Sequence, residues 1–283
     1  MYLSGKKFEL LGGFFVNDSN FIKKTALVTG ASRGIGKGIA LELASIGYDL
    51  VITYRTGKEE AEETADSIEK NYGRKCYPIH AELADESTAS IIVQKSIDVL
   101  GKLDVLINNA GVTIKSPLAE MGHKDIIHLL SLNLKTPLLT MKAAVKHMID
   151  ERIKGNIINI SSTRGKRAYP DDAVYGGTKA ALIRATESVA LECAPFGIRV
   201  NCIAPGATKV REGNNEHLKK LGDKIPLNRV GTPRDIGQAV AWLISDQASY
   251  ITGETIKIDG GLILPGMPED IRPEAGYGWG EIR

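Results

Sequence analysis

The sequence predicts a single α/β domain, a doubly wound parallel sheet of about seven strands with helices on both faces. Three observations carry that expectation. Short apolar runs alternate along the chain with longer stretches of helical period. The runs are apolar at successive positions, the pattern of strands buried on both faces of a parallel sheet. The first run leads straight into a glycine-rich turn and then a helix, the local order of a nucleotide phosphate site.

That turn is Thr29-Gly30-Ala31-Ser32-Arg33-Gly34-Ile35-Gly36, preceded by the strand Thr25-Ala26-Leu27-Val28 and followed by Ile35, Ile39, Ala40 and Leu43 at helical spacing. Glycines there let backbone N–H groups approach a pyrophosphate at the positive end of the helix dipole. A plain strand-to-helix turn has the same look. A Walker A loop is excluded, since no Gly-x4-Gly-Lys-Ser/Thr spacing exists.

The remaining elements follow in order. Tyr48 to Tyr54 reads as strand two and Lys58 to Asn71 as an amphipathic helix. Lys75 to Ile79 is strand three, Asp85 to Leu100 a helix, and Leu103 to Ile107 strand four, ending in Asn108-Asn109-Ala110-Gly111. A long helical zone runs from Ile126 to Arg152. Asn156 to Ile160 is strand five, Ala173 to Cys193 a long helix, and Ile198 to Ile203 strand six. Pro233 to Ser245 is a helix with proline in its first turn, and Thr255 to Ile258 is the last strand. Residues 1–24 read as an N-terminal extension outside the core, a short surface element or leader; Glu9 and the absence of a small-residue cleavage site argue against a secretory signal. Residues 25–262 form the domain, and residues 263–283 a tail expected near the substrate pocket, carrying Pro265, Met267, Pro268, Tyr277 and Trp279.

Composition excludes several classes. At 283 residues and 43% hydrophobic the chain can bury a full core. A net charge of +2 gives no footprint for nucleic acid or an anionic membrane. Cys76, Cys193 and Cys202 are odd in number and far apart, which argues against a disulfide framework and for a reducing, cytoplasmic setting. No CxxC or HExxH spacing marks a metal site, and no apolar run is long enough to span a membrane.

In such a sheet ligands bind beyond the carboxyl ends of the strands. The polar residues there are Gly30 to Gly36, Tyr54-Arg55, Glu82, Asn108 to Gly111, Ser161-Ser162 and Pro205-Gly206, any of which can equally cap a loop. Next comes Tyr175-x3-Lys179. On a helix these side chains lie one turn apart, and an ammonium beside a phenol favours the phenolate. The same spacing occurs at Tyr2/Lys6 and Tyr54/Lys58, but only Tyr175/Lys179 sits in a long helix after a strand ending in a hydroxyl, Ser162.

Taken together, Thr29-Gly30-x3-Gly34-x-Gly36, Asn108-Asn109-Ala110-Gly111, Ser162, Tyr175-x3-Lys179 and Pro205-Gly206 resemble the short-chain dehydrogenase/reductase family over about residues 25–262. The resemblance implies a Rossmann-type fold, a nicotinamide cofactor and an alcohol or carbonyl substrate. It implies Tyr175 as general acid/base, Lys179 lowering its pKa and binding the nicotinamide ribose, Ser162 bonding the substrate oxygen, and Asn133 supporting a relay water. It implies cofactor contacts from Gly30, Ser32, Arg33, Gly34, Ile35, Gly36, Arg55, Glu82, Leu83, Asn109, Ala110, Gly111, Tyr175, Lys179, Pro205, Gly206 and Thr208. Two positions depart from the family pattern: Glu82 stands where Asp is usual, and Val210 where Thr is usual, with Thr208 two residues earlier.

Strand two ends Thr53-Tyr54-Arg55 with no acid to hold ribose hydroxyls, and Arg33 adds a cation nearby. NADP(H) is therefore expected over NAD(H). Within the family the likeness is to bacterial glucose 1-dehydrogenases. It rests on Tyr54-Arg55, on Ile153-Lys154-Gly155-Asn156, and on the segment between Ser162 and Tyr175 with Lys166 and Tyr169-Pro170. It implies a sugar or polyol, with Arg164, Lys166, Asp171 and Asp172 as polar partners. The rival is a 3-oxoacyl-[acyl-carrier-protein] reductase, whose acidic partner suits the same basic residues. A non-catalytic dinucleotide sensor would be expected to lose Tyr175 or Lys179. The helices near 126–152 and 173–193 resemble those through which family members form tetramers, so a homotetramer is expected.

Overall fold

The structure is a computed structural model describing residues 10–11, 14–15, 24–210 and 216–264. Its centre is a seven-stranded, fully parallel sheet. The strands are β1 (Lys24–Val28), β2 (Tyr48–Tyr54), β3 (Cys76–His80), β4 (Val105–Asn108), β5 (Asn156–Ile160), β6 (Arg199–Pro205) and β7 (Thr255–Ile258). Their spatial order is 3-2-1-4-5-6-7. The order reverses between β1 and β4, and the crevice beyond their carboxyl ends is where such sheets bind ligands.

Helices cover both faces: α1 (Gly34–Ser45), α2 (Lys58–Tyr72), α3 (Glu86–Leu100), α4 (His123–Leu130), α5 (Thr136–Asp150), α6 (Ala173–Cys193), α7 (Glu216–Gly222) and α8 (Pro233–Leu243). One core cluster joins Ala26, Val28, Leu50, Ile52 and Ile107 to Ile39 and Leu43 of α1, Ile68 of α2 and Val240 of α8. The other joins Leu27, Val51, Leu106 and Ile157 to Ile92 of α3, Met141 and Met148 of α5 and Leu182 of α6. Successive strand residues feed opposite clusters, which is why these strands read as unbroken apolar runs.

The helical zone expected from Ile126 to Arg152 is not one helix. It begins at His123, widens into a π turn at Ser131–Lys135, and restarts as α5. Pro137 lacks the N–H that an uninterrupted helix would give to the Asn133 carbonyl, so the ladder is reset there. Helix α7 was not expected from the sequence. Leu10–Leu11 and Phe14–Phe15 form a two-stranded antiparallel sheet separate from the main one. The main sheet starts at Lys24 and ends at Ile258. Of the expected tail, residues 265–283, with Pro265, Met267, Pro268, Tyr277 and Trp279, lie outside the described residues.

A buried polar row ties α5, β4, β5 and α6 just below the crevice. Thr140 Oγ1 donates to Asn108 Oδ1 at 2.6 Å, Asn108 Nδ2 to Asn159 Oδ1 at 2.9 Å, and Asn159 Nδ2 to Thr186 Oγ1 at 2.9 Å. Each group is satisfied, so the row holds register rather than adding unpaired polarity.

Candidate active site

The glycine turn and the end of β4 are locked into one unit. Thr29 Oγ1 accepts from the N–H groups of Asn109 and Ala110 at 2.9 and 3.0 Å. Asn109 Nδ2 donates to the carbonyls of Thr29 and Gly30, each at 2.8 Å. From the other side Gly30 N–H donates to Thr53 Oγ1 at 2.9 Å. The turn therefore sits between the ends of β2 and β4, and two of its glycines have no substitute. Gly30 has φ +65°, and a Cβ on Gly36 would stand 2.3 Å from the Gly30 carbonyl oxygen and 2.5 Å from Asn109 Nδ2. Helix α1 then begins at Gly34 with no side-chain cap and no acid in its first turn. Its first N–H groups are left for an anion.

The expected cofactor periphery surrounds this unit. Ser32 is buried, its carbonyl accepting from Thr64 Oγ1 at 3.3 Å. Arg33 precedes α1 with extended backbone, and its guanidinium lies 3.7 Å from the Glu60 carboxylate with both side chains about half exposed. Arg55, just past β2, is exposed and has no ion pair among the described residues. Past β3, Glu82 is exposed and Leu83 buried, the Leu83 carbonyl accepting from Thr136 Oγ1. Pro205 ends β6 buried, and Gly206 N–H donates to the Ile258 carbonyl at 3.0 Å. Thr208 Oγ1 turns back on the Gly206 carbonyl at 3.2 Å. Val210 lies over the glycine turn, 3.2 Å from where a Cβ on Gly34 would be.

Of the four residues expected to carry chemistry, Tyr175 and Lys179 stand on α6, Asn133 in the π turn, and Ser162 just past β5. Helix α6 places Tyr175, half-buried, one turn before Lys179, which is 4% exposed. Lys179 Nζ lies 5.9 Å from the Tyr175 ring centroid and donates to the Ile160 carbonyl at 2.9 Å. Burial pushes the Lys179 ammonium down to about 8, opposed by the neighbouring Cys202, whose own thiol burial pushes up to about 11. The π turn buries Asn133 and aims its amide at the backbone beyond β4. Asn133 Nδ2 donates to the Val112 carbonyl and Oδ1 accepts from the Val112 N–H, both at 2.9 Å. Gly111 lies between the two groups: a Cβ on it would stand 3.1 Å from Asn133 Oδ1 and 3.4 Å from Lys179 Nζ.

The two serines after β5 separate cleanly. Ser161 is buried and its hydroxyl donates to the Lys179 carbonyl at 2.8 Å, bracing α6. Ser162 is partly exposed, its Oγ accepting only the Arg164 N–H at 3.2 Å. A hydroxyl used so lightly keeps its proton to donate to a bound oxygen.

Two contributors were missed by sequence reasoning, Thr53 and the Ile160 carbonyl, neither of which carries a motif. Arg164 and Asp172, expected as partners for a polar substrate, instead pair with each other at 2.9 Å. Among the described residues no cluster of His, Cys, Asp or Glu could hold a metal ion, and no helix is long and apolar enough to cross a membrane. The residues present fit a dinucleotide: an uncapped helix start, a glycine, Gly30, where the turn meets Ala110, and a buried ammonium without a carboxylate partner among the described residues.

Comparison with known proteins agrees. Residues 30–263 match the family described as Enoyl-(Acyl carrier protein) reductase. The chain is 40% identical over 244 residues to 3-oxoacyl-[acyl-carrier-protein] reductase FabG of Staphylococcus aureus (strain N315), covering 85% of this chain and 98% of that protein. It is 36% identical over 250 residues to glucose 1-dehydrogenase 2 of Bacillus subtilis (strain 168), covering 85% and 95%. Among solved structures, acetoin dehydrogenase YohF from Salmonella typhimurium superposes with a TM-score of 0.82 at 34% identity, covering 88% of this chain and 99% of that one. A blue fluorescent protein from a metagenomic library, in complex with NADPH, gives 0.79 at 33% identity, covering 85% and 98%. With the fold, the glycine turn and the Ser162–Tyr175–Lys179 grouping, these place the chain in the short-chain dehydrogenase/reductase family, as an oxidoreductase acting on CH–OH and carbonyl groups.

Proposed function

We propose that this enzyme is an NADP(H)-preferring dehydrogenase/reductase whose substrate is a sugar or polyol. The observation that supports the chemistry is the buried Lys179 ammonium beside the Tyr175 ring and on the Ile160 carbonyl, two residues before the lightly used Ser162 hydroxyl, with Gly111 packed between Lys179 and Asn133. The nicotinamide, when bound, supplies or accepts the hydride. Tyr175 exchanges the proton at the substrate oxygen, giving it in reduction and taking it in oxidation. Ser162 Oγ–H holds that oxygen by a hydrogen bond. Lys179 keeps a positive charge against the phenol ring, and Asn133 holds Val112 and thereby the floor below it. Gly30, Ser32, Gly34, Ile35 and Gly36 present the α1 N-terminus to the pyrophosphate. Asn109, Ala110 and Gly111 line the nicotinamide side, Glu82 and Leu83 the adenine side, and Pro205, Gly206 and Thr208 the carboxamide side.

Preference for NADP(H) is supported by the end of β2, where Arg55 is exposed, by the half-exposed Arg33 of the glycine turn beside Glu60, and by the NADPH in a structural neighbour. Arginines match phosphate oxygens in a fork geometry that a 2′-hydroxyl does not use.

For the substrate, the support is the resemblance across residues 153–170 and the glucose 1-dehydrogenase relative. Because Arg164 and Asp172 engage each other, the polar partners left for hydroxyls are the exposed Lys166 and Asp171. The second reading, a 3-oxoacyl-[acyl-carrier-protein] reductase, is favoured by the FabG relatives and by the exposed Lys115 and Lys166 on the loops flanking the crevice. Paired assays separate them: aldoses with NADP in the oxidative direction, and acetoacetyl thioesters with NADPH in the reductive direction. Aldose oxidation supports the proposal; thioester reduction alone overturns it in favour of the second reading.

Assembly as a cytoplasmic homotetramer belongs to the same proposal. Between α5 and α6 runs a largely apolar groove of about 480 Å³ that includes Leu138, Met141, Val145 and Val189. It lies on the helices expected to associate, with Leu191 of α6 79% exposed. Light scattering at micromolar concentration checks it; a monomer mass contradicts it.

A further inference from the structure

The chain between Ser162 and Tyr175 has one turn of regular structure, Thr163–Gly165, before α6 begins at Ala173. A connection of this kind has many conformations to lose. Yet its two ends carry the hydroxyl and the phenol that must meet one substrate oxygen.

One ion pair closes it. Arg164 Nη1 lies 2.9 Å from Asp172 Oδ2, and the Asp172 side chain is only 2% exposed. The Arg164 backbone N–H donates to Ser162 Oγ at 3.2 Å, so one end of the pair is anchored at the serine. Asp172 immediately precedes α6, on which Tyr175 follows within the first turn, so the other end is anchored at the tyrosine's helix. Two further contacts hold the loop. The Arg164 guanidinium lies 4.4 Å from the centre of the Tyr169 ring. Asp171 takes a left-handed backbone, φ +58°, and its carbonyl accepts from Ser116 N–H at 3.1 Å, tying the loop to the segment beyond β4.

Among the described residues the Asp172 carboxylate has no hydrogen bond that would engage it in another task. It does not cap α6, and neither of its oxygens accepts a well-directed hydrogen bond among the described residues. A buried ion pair is a poor source of net stability, because desolvation offsets the attraction. Its value lies in fixing a geometry.

We infer that the Arg164–Asp172 pair is a clamp that sets the Ser162 hydroxyl against the Tyr175 phenol, making both charged residues positioning residues for proton transfer. The inference rests on the roles given above to Ser162 and Tyr175.

The test uses Asp172→Asn, Arg164→Gln, Arg164→Lys and the double variant Arg164→Gln/Asp172→Asn in the full chain. Turnover is followed with NADPH and a carbonyl the wild type reduces, NADPH affinity by fluorescence, and loop release by limited trypsin digestion. Each single neutral variant is expected to lower kcat roughly tenfold, with KM and NADPH affinity within about twofold of wild type. The double variant is expected to be no worse than the poorer single, as for two partners in one interaction. Arg164→Lys restores part of kcat, and Asp172→Asn is cut faster within 164–167. Multiplying losses in the double variant, a changed KM with unchanged kcat, or wild-type cleavage rates overturn the clamp. If instead Ser162→Ala and Tyr175→Phe retain turnover, the assigned roles fail, and the cleavage rates still decide whether the pair closes the loop.

Discussion

The Lys179 ammonium donates to the Ile160 carbonyl at 2.9 Å and, among the described residues, faces no carboxylate, although it is 4% exposed. Burial lowers its pKa from 10.5 to about 8. Below pH 8 the group is charged in both folded and unfolded chains, and the folded state bears the whole burial penalty. Between pH 8 and 10.5 the folded chain has released the proton while the unfolded chain still holds it, so stability rises with pH. Above 10.5 both forms are neutral.

Lys179→Met is therefore expected to raise the Tm of the cofactor-free protein at pH 7 while abolishing turnover. The penalty removed is on the order of 3 kcal/mol, reduced by the Ile160 carbonyl left without its donor, about 1–3 kcal/mol. Paired thermal melts check it: the variant's advantage should shrink as pH climbs from 8 towards 10.5. A variant less stable at pH 7 than at pH 10, relative to wild type, contradicts the burial argument.

Arg55→Ala is expected to lower kcat/KM for NADPH roughly ten- to hundredfold, the worth of one or two charge-assisted hydrogen bonds, and to leave NADH nearly unchanged. Comparing both cofactors in wild type and variant measures it. An equal loss for both cofactors would assign Arg55 to a structural role.

Gly36→Ala should cost both stability and cofactor. The added methyl would press on the Gly30 carbonyl and on the Asn109 amide that bridges Thr29 and Gly30. Backbone cannot yield there as a flexible side chain would, so a loss of about 1–3 kcal/mol is expected, with NADPH binding weakened further. Urea unfolding and fluorescence titration test the two effects separately.

Asn133→Ala removes both hydrogen bonds to Val112. The partly buried N–H and carbonyl left behind cost about 1–3 kcal/mol each when unpaired, so Tm should fall and kcat with it. A normal Tm would mean that the π turn does not depend on this amide.

The sheet was legible because each strand feeds two cores and so shows as an unbroken apolar run, as Leu50, Val51 and Ile52 do. The start of α8 was legible from Pro233 in its first turn, and the Thr232–Asp235 capping box there went unread. The π turn was hidden inside a helical period, and Pro137 was the one signal that could have revealed it. In the site, Tyr175, Lys179 and Ser162 could be named because their spacing is one helix turn or one strand end. Arg164 and Asp172 meet across an irregular loop, where sequence separation says nothing about distance. Ser162 was preferred to Ser161 by the spacing to Tyr175 in the family it resembles, and the hydrogen bonds add the bracing role of Ser161 on the Lys179 carbonyl.

The central claim is that Tyr175 is the proton partner of the reaction, and its most direct measurement is the Tyr175→Phe variant, which removes one oxygen and keeps the ring. NADPH consumption is followed with a carbonyl substrate that wild type reduces, and NADPH affinity by fluorescence in the same preparation. The account predicts turnover lower by at least about a hundredfold with cofactor affinity within a few-fold of wild type. Turnover near the wild-type rate, with the cofactor bound, would contradict it.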